Sequence, residues 1–272
     1  MRIVLAVEYD GSGFRGWQKQ PGGGTVQDAL QDALQQFSGI PVHVICAGRT
    51  DAGVHAIGQV VHFDTVVERS MFAWVRGLNT FLPPAIAVRW AQVVAGNFHA
   101  RSSAYSRRYR YLLLNRPHRP GVWQGRVGWH HHPLDLTTMQ SAADLLLGER
   151  DFSAFRAAEC QANSPVKIMR RADIRCFGDL VIFDFEASAF LHHMVRNLVG
   201  SLVAVGQGKR PPEWIAELLA KGDRRLAAPT FAAAGLYLLA VSYQPQWGLP
   251  VTDETVYLPL AADLCSTGLA GR

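Results

Sequence analysis

The sequence of 272 residues predicts an α+β fold in which two βαββαβ halves share one continuous mixed sheet. Segments with strand periodicity and segments with helix periodicity follow one another in the order βαββαβ, and the same order then repeats. Each half alone would leave an open sheet edge, so we expect the halves to join edge to edge with a cleft between them. No obvious sequence repeat accompanies this repeat of architecture.

Residues 1–104 contain the elements of the first half. Alternating apolar residues predict a strand over 2–9, and Thr25 with Asp28 resembles a capping box in front of a helix over 26–38. The remaining predicted elements are strands over 41–47 and 58–64, a helix that follows Ser70 and ends before Pro83, and a strand over 85–94.

Residues 105–245 supply the second half. The predicted elements are strands over 107–115, 167–176, 180–187 and 235–243, a helix from Met139 to Leu147, an apolar helical stripe from Phe190 to Val205, and a short inserted helix over 212–220. Residues 246–272 show no sustained period, and we interpret them as an appendage and a candidate for disorder.

The charge pattern indicates a nucleic-acid partner. Lysine and arginine outnumber aspartate and glutamate by 27 to 22, which by itself fits a solvated basic surface. The arginines nevertheless cluster, because "HARSSAYSRRYRY" interleaves Arg101, Arg107, Arg108 and Arg110 with three tyrosines, and "KIMRRADIR" adds four further basic residues. Basic groups beside aromatic rings suit phosphates and unstacked bases, so we expect a basic cleft between the halves that binds RNA.

Cellular location and membrane contact follow from simpler signals. The four cysteines are scattered, and the first residues lack the length and cleavage site of a signal peptide. No apolar run reaches the roughly 18 residues that a membrane helix needs. We therefore expect a soluble cytoplasmic protein without membrane contact.

The segment "GRTDAGVHA", residues 48–56, falls in the predicted connection between the second and third strands. Arg49 and Asp51 are two residues apart and would project to the same side of an extended segment, so we predict an ion pair that holds the carboxylate ionised and oriented. Spacing alone leaves two interpretations open, a reactive carboxylate and a structural staple of the turn.

Histidine clusters invite a metal site, but the pattern does not favour one. Adjacent histidines at 130–132 and 192–193 would point to opposite faces of a strand, and neither group belongs to a carboxylate-bearing motif such as HExxH. The glycine-rich "DGSGFRGWQK" lacks the P-loop lysine and the dinucleotide spacing. We therefore predict no metal and no cofactor, and we expect Arg15 and Lys19 to contact RNA phosphates.

Five stretches of the chain resemble the TruA-type tRNA pseudouridine synthases. They are "VEYDGSGFRGWQKQ" at 7–20, "GRTDAGVHA" at 48–56, "RRYRYLLLN" at 107–115, "LLGERDFSAFR" at 146–156 and "AFLHHMVRNLVGSL" at 189–202. The resemblance implies the pseudouridine synthase fold, with two ferredoxin-like halves around one cleft, and a homodimer that needs no cofactor. It also implies isomerisation of uridine in the tRNA anticodon stem-loop, at tRNA positions 38, 39 and 40.

The resemblance also implies roles for individual residues. It makes Asp51 the catalytic carboxylate, a nucleophile toward the sugar or the base or a group that helps to remove a sugar proton, and the sequence does not choose among these. It places Tyr109 over the flipped uracil as a candidate base for the C5 proton, and Arg196 beside the catalytic aspartate. Arg49 completes the catalytic set, and the RNA-contact candidates are Arg15, Lys19, Arg108, Tyr109, Arg110 and His192.

Three classes of function are compatible with these residues. They are a pseudouridine-forming enzyme, an RNA-binding module without catalysis, and a hydrolase that uses the histidines with a divalent metal. We expect the first, because Arg49, Asp51, Tyr109 and Arg196 occur together. Activity that survives a strong chelator would remove the hydrolase.

Overall fold

A computed structural model describes residues 1–250 of the chain. The strands are β1 Arg2–Tyr9, β2 Ile45–Cys46, β3 His55–Asp64, β4 Ile86–Val94, β5 Ala104–Asn115, β6 Gly128–His130, β7 Gly148–Asp151, β8 Val166–Phe177, β9 Leu180–Ala187 and β10 Leu236–Tyr243. The α-helices are α1 Val26–Ser38, α2 Met71–Phe81, α3 Leu136–Asp144, α4 Met194–Gly206 and α5 Trp214–Lys221.

All ten strands within residues 1–250 belong to one mixed sheet, which confirms the predicted fold class. The main path runs β4-β1-β3-β10-β5-β9-β8-β7, while β2 pairs with β3 and β6 pairs with β5. The two halves meet where β3 and β10 pair in parallel, with Tyr237 opposite His55 and Leu238 opposite Ala56. The loop that leads into β3 therefore lies at the junction of the halves.

The largest of the three apolar clusters within residues 1–250 packs helices against one face of the sheet. Alternate residues of β1, among them Ile3, Leu5 and Val7, belong to the same buried cluster as Leu30 of α1 and Trp74 of α2. The cluster continues through the second half to residues of β9 and α4. Burial of each large apolar side chain contributes roughly 1.5–3 kcal/mol, which makes this core the main support of the sheet.

Local sequence fixes the ends of α1 as predicted. The Thr25 hydroxyl oxygen accepts the N–H of Asp28 at 3.2 Å, and the Asp28 carboxylate accepts the Thr25 hydroxyl at 2.6 Å. Gly39 follows the helix with φ +77°, a left-handed conformation that glycine adopts without a steric penalty. The predicted helix over 26–38 is confirmed.

The second strand is shorter than predicted. Only Ile45–Cys46 of the predicted range 41–47 pairs with β3. The backbone of Val44 instead bonds to side chains of α1, because its N–H donates to Gln31 Oε1 at 3.2 Å and its carbonyl accepts from Gln27 Nε2 at 3.3 Å. Periodicity reported the burial of these residues correctly, but it could not reveal that side chains satisfy the backbone.

The predicted start of the appendage belongs partly to the packed fold. The Trp247 ring lies 5.1 Å from the Phe98 ring, and Gln92 Nε2 donates to the carbonyl of Gly248 at 3.1 Å. Residues 251–272 of the predicted appendage lie outside the described residues. Within residues 1–250, none of the helices combines the length and the apolar character that a bilayer crossing requires.

Candidate active site at the junction of the two halves

Asp51 opens a tight turn at the junction of the halves. The N–H of Val54 donates to the Asp51 carbonyl at 3.1 Å, and Gly53 within the turn has φ +77°. The backbone conformation at Gly53 would strain a residue with a side chain. The turn presents the Asp51 side chain, about one-fifth exposed, toward the first turn of α4.

Three side chains of the second half meet the Asp51 carboxylate. Arg196 Nη1 lies 3.0 Å from Asp51 Oδ2, His193 Nε2 lies 3.3 Å from the same oxygen, and His192 Nε2 lies 3.2 Å from Oδ1. Arg196 Nε also donates to the carbonyl of Phe231 at 2.8 Å, so the guanidinium is held at both ends. The fold thus joins residues 145 positions apart in the chain.

The predicted ion pair between Arg49 and Asp51 is wrong. Among residues 1–250, Asp51 pairs with Arg196 and the two histidines, while Arg49 is exposed. The prediction assumed an extended segment, but the chain turns at Asp51, and Thr50 between the two residues is buried. The arginine that pairs with the carboxylate is Arg196, which the resemblance to the family had placed beside it.

A buried polar floor supports the backbone beneath Asp51. The hydroxyl of Tyr9 in β1 lies 2.7 Å from Thr50 Oγ1, and Gln59 Nε2 in β3 donates to the carbonyl of Gly48 at 2.6 Å. The N–H of Trp17 donates to the Thr50 carbonyl at 2.9 Å. These bonds restrict the loop on both sides of Arg49, so the position of Asp51 is set by two strands of the sheet.

Gly16 lets the glycine-rich loop of residues 11–16 approach this turn. A Cβ atom at Gly16 would lie 2.9 Å from the Thr50 carbonyl oxygen and 3.1 Å from the Asp51 carbonyl carbon, and φ at Gly16 is +88°. Both the contact and the conformation require glycine. The glycine-rich loop therefore supports the turn that carries Asp51.

His55 fastens the far end of the turn to both halves. Its Nδ1 accepts the N–H of Gly11 at 3.1 Å, and its Nε2 lies 3.0 Å from the Gly125 carbonyl and 3.1 Å from the Ala234 carbonyl. Burial lowers the pKa of His55, against the attraction of the nearby Asp10 carboxylate. A neutral ring with its proton on Nε2 satisfies these contacts.

His193 occupies an uncommon backbone conformation beside the carboxylate. It is the residue that precedes α4, and among residues 1–250 it is the only non-glycine residue with positive φ, at +61°. Such a conformation costs about 1–3 kcal/mol and persists where surrounding contacts enforce it. Burial lowers the pKa of His193 despite the attraction of the Asp51 charge, which favours a neutral imidazole beside the carboxylate.

Tyr109 lies on the helical face of the sheet, in the same cluster as the core. Its ring packs edge-on against Phe190 at 5.0 Å, and its hydroxyl lies 3.7 Å from the position that a Cβ on Gly48 would occupy. Burial, followed by the Asp51 charge, raises the pKa of Tyr109. Tyr111 is fully buried and donates to the Ala232 carbonyl at 2.8 Å, as expected for a core tyrosine.

The predicted RNA contacts divide into two groups. Arg15 and Lys19 are exposed, and the Lys19 ammonium lies 3.8 Å from an Asp28 oxygen in a loose surface pair. Arg110 contradicts the prediction, because its side chain is only 5 % exposed and forms two hydrogen bonds to Asp184, at 2.7 and 3.0 Å. Alternation along β5 sends Arg108 and Arg110 to the face opposite Tyr109, and burial removes Arg110 from RNA.

Asp51, His192 and His193 could also hold a cation. Within residues 1–250 they form the one group of three such residues whose ligand atoms all lie within 4.8 Å of one another. Arg196 places its positive charge 3.0 Å from the same carboxylate, which opposes a divalent ion there. His130, of the other predicted cluster, lies 2.6 Å from the side-chain amide nitrogen of Gln207.

Sequence reasoning assigned no role to several residues that build the site. Phe190 and His193 appeared only as members of a helical stripe and a histidine pair, and Gln59 was not singled out. Gln59 offered a signal, since it is a polar residue within the apolar strand "HAIGQVVHF". Its burial and its bond to Gly48 show that such a residue can support a loop.

Comparison with known proteins identifies the family of this chain. The sequence model of a family described as "tRNA pseudouridine synthase" matches residues 5–101 and 142–244. A protein of Dechloromonas aromatica called "tRNA pseudouridine synthase A" is 65% identical over 93% of this chain and 97% of its own length. Proteins with the same name from Methylobacillus flagellatus and Nitrosomonas eutropha are 58% and 56% identical, over 96% and 100% of this chain and 100% and 99% of their own lengths. Close similarity over nearly the full length and a site with a clamped carboxylate lead to one conclusion: the chain belongs to the tRNA pseudouridine synthases, isomerases that convert uridine in tRNA to pseudouridine.

Proposed function

We propose that this isomerase acts on uridine in the anticodon stem-loop of tRNA, at tRNA positions 38, 39 and 40, with Asp51 as the reacting carboxylate. The observation that supports this role for Asp51 is the position of its side chain. A turn of the first half places it against three residues of the second half, Arg196, His192 and His193. A turn staple would not need partners from the other half of the chain.

The reaction moves one bond and one proton. The C1′–N1 bond breaks, the uracil turns, C5 bonds to C1′, and the proton that leaves C5 is balanced by one gained at N1. Asp51 would act as a nucleophile at the sugar or the base, or help to remove a sugar proton. In each route the carboxylate must be ionised and aimed, and the charge and two-point attachment of Arg196 favour both.

Tyr109 would stack on the uracil and handle a proton. Stacking of an aromatic ring on a base contributes about 1–3 kcal/mol. Because the pKa of Tyr109 is raised, its hydroxyl carries a proton before the reaction begins. The hydroxyl could serve as the base for C5 only if it first gave up that proton, so a hydrogen-bonding or relay role is easier at neutral pH.

Arg49 is better placed to meet the RNA than to orient Asp51. Its side chain is exposed and lies next to the turn, so a phosphate or an extruded nucleotide could reach it. Asp51 is about four-fifths buried, so a uridine stacked within a stem would not reach it, and the nucleotide would have to flip out. Such a binding site needs exposed cations that contact the RNA phosphates, and Arg49, Arg15 and Lys19 are our candidates for this contact.

We also propose that the active form is a homodimer that binds tRNA without a metal or cofactor. The resemblance to the family supports this proposal, and light scattering with activity measurements tests it. A fully active monomer at micromolar concentration would contradict the dimer. Full activity after treatment with a strong chelator is expected, and loss of activity that is restored by a divalent metal would contradict the metal-free reaction.

The tRNA region is tested by mapping pseudouridine in tRNA transcripts after reaction. We expect modification at positions 38, 39 and 40, and none when the uridines there are replaced by cytidine. The matched control is a transcript with the same number of uridines replaced in another stem-loop. Modification that follows the control uridines instead would contradict the proposed region while leaving the isomerase activity in place.

A further inference from the structure

Arg107 is a buried cation that binds backbone carbonyls instead of a carboxylate. It lies in β5 with 9 % of its surface exposed, and among residues 1–250 no acidic side chain forms an ion pair with it. Burial lowers the pKa of its guanidinium, but an arginine remains charged at neutral pH. A charge in such a place needs full hydrogen bonding to be tolerated.

The guanidinium meets four carbonyl oxygens. Nη2 donates to the carbonyls of Arg101 at 2.6 Å and Ala47 at 3.2 Å, and Nη1 donates to those of Ser188 at 3.0 Å and Ala104 at 3.1 Å. Hydrogen bonds from a charged donor are stronger than those between neutral groups. The planar group therefore fixes the spacing of the segments that carry these carbonyls.

Two of these segments form opposite walls of the candidate active site: the loop that carries Asp51 is one wall, and the segment that carries His192 and His193 is the other. The third segment links the two halves. Ala47 begins the loop that ends at Asp51, and Ser188 begins the segment that carries Phe190, His192 and His193. Arg101 belongs to the connection from the first half to β5, and Ala104 is the first residue of β5. One side chain thus connects the wall that holds the carboxylate to the wall that holds its partners.

We propose that Arg107 is a positioning residue that sets the distance between these two walls, and so holds Asp51 in register with Arg196 and the histidine pair. This inference rests on the proposed role of Asp51 as the reacting carboxylate. Arg107 itself lies beneath the site and touches no reacting atom. Tyr109 lies two residues further along the same strand.

A purely structural staple would produce a different pattern of defects. Loss of an interaction that only stabilises the fold lowers the melting temperature but leaves the rate of the folded enzyme unchanged. A positioning residue lowers the rate of the chemical step at temperatures where the variant is folded. A shift of about 1 Å in a reacting group can cost on the order of a hundredfold in rate.

Arg107→Lys and Arg107→Met separate these possibilities, with Arg2→Met as the matched control. Arg2 also makes four hydrogen bonds, two to Asp64 and two to the carbonyls of Gly96 and Phe98, but it lies at the opposite end of β1 from Tyr9. Lysine keeps the charge of Arg107 without the planar fork, and methionine removes both.

The measurement is the single-turnover rate of pseudouridine formation at saturating enzyme, together with tRNA affinity and the melting temperature. We expect Arg107→Lys to slow the chemical step by roughly 10- to 100-fold with affinity within about threefold of wild type. Arg107→Met should be slower still, and Arg2→Met should lose melting temperature but keep its rate. If Arg107→Met does not fold, Arg107→Lys decides alone.

A folded Arg107→Lys with the wild-type rate would overturn the positioning role. So would a defect in tRNA affinity alone, because it would make Arg107 part of the RNA-binding surface. Neither result would affect the proposed function, which fails only if the anticodon stem-loop is not modified or if the Asp51 carboxylate is dispensable.

Discussion

Arg196 should control the rate of the chemical step, since it is the only arginine within residues 1–250 that pairs with Asp51. Its Nη1 lies 3.0 Å from the carboxylate, and its Nε donates to the Phe231 carbonyl at 2.8 Å. Lysine at this position would lose this arrangement, because its three N–H groups sit on one nitrogen that cannot occupy the positions of both Nε and Nη1. Arg196→Lys therefore keeps the charge and loses the orientation.

The expected loss of rate in Arg196→Lys follows from the burial of the pair and the energy of one charged hydrogen bond. The two side chains are 16 % and 20 % exposed, so solvent screens their interaction only in part. A hydrogen bond to a charged group contributes about 1.5–3 kcal/mol, and a tenfold change in rate corresponds to about 1.4 kcal/mol. Loss of the oriented bond should slow the reaction roughly 10- to 150-fold, and Arg196→Met should slow it more.

The assay is single-turnover release of tritium from tRNA that carries 5-tritiated uridine, at saturating enzyme and with the melting temperature measured in parallel. Arg224→Lys serves as a control, because Arg224 is a partly buried arginine that bonds to the carbonyl of Ala228 and to Asn197 but does not touch Asp51. Wild-type rates for both Arg196 variants would refute the view that this arginine orients the carboxylate.

Three further predictions concern the support of the site, its pH dependence and its tyrosine. Gly16→Ala should lose about 1–3 kcal/mol of stability together with activity, because the new Cβ would collide with the backbone of the turn at Asp51. The control variant Gly13→Ala should lose neither, because no atom beyond its neighbours in the chain lies within 4 Å of the position of its Cβ. Equal stability of the two variants in chemical denaturation would contradict the packing argument. Burial, with the charge of Arg2, lowers the pKa of His62 to about 4, so the folded state binds fewer protons than the unfolded state between that value and about 6.5. Stability should therefore fall as pH drops through this range, and His62→Gln should flatten the decline in urea unfolding measured at several pH values; an unchanged slope would show that other groups cause it. Tyr109→Phe keeps the ring and loses the hydroxyl, so tRNA affinity should persist while tritium release slows; equal release would leave the hydroxyl without a role in proton transfer.

The sequence carried enough information for the architecture because its periodic segments report burial directly. The strand of residues 2–9 and the helix of residues 26–38 were predictable from alternation and from the capping pair Thr25 and Asp28. The four-residue strand β7 was missed, since all its side chains are exposed and show no apolar alternation. Short strands like this depend on a neighbour, here β8, which local pattern does not reveal.

The site was predictable in composition and only partly in geometry. Asp51, Tyr109 and Arg196 lie together as expected, because their motifs are local and resemble those of one family. The predicted pairing of Arg49 with Asp51 was wrong, because a spacing of two residues along the chain does not reveal a turn. The expected neighbour Arg196 does pair with Asp51. The burial of Arg110 was also beyond local reasoning, because it depends on Asp184 in the neighbouring strand β9.

Arg107 is a second arginine whose environment could not be predicted from the sequence. In the sequence it is one of several arginines in a basic stretch, and that stretch suggests contact with RNA. In the fold it is turned inward to four carbonyls contributed by three segments. Only the tertiary structure separates an arginine that supports the site from one that faces the substrate.

The most direct test of the central claim compares Asp51→Asn with wild type at equal amounts of bound tRNA. Asparagine keeps the size of the side chain and most of its hydrogen bonding but removes the charge that Arg196, His192 and His193 surround. If Asp51 is the reacting group, the variant should fold, bind tRNA and release no tritium from C5 above background. Near-normal pseudouridine formation by Asp51→Asn would contradict the account. The contacts of Asp51 with Arg196, His192 and His193 would then only connect the two halves of the structure.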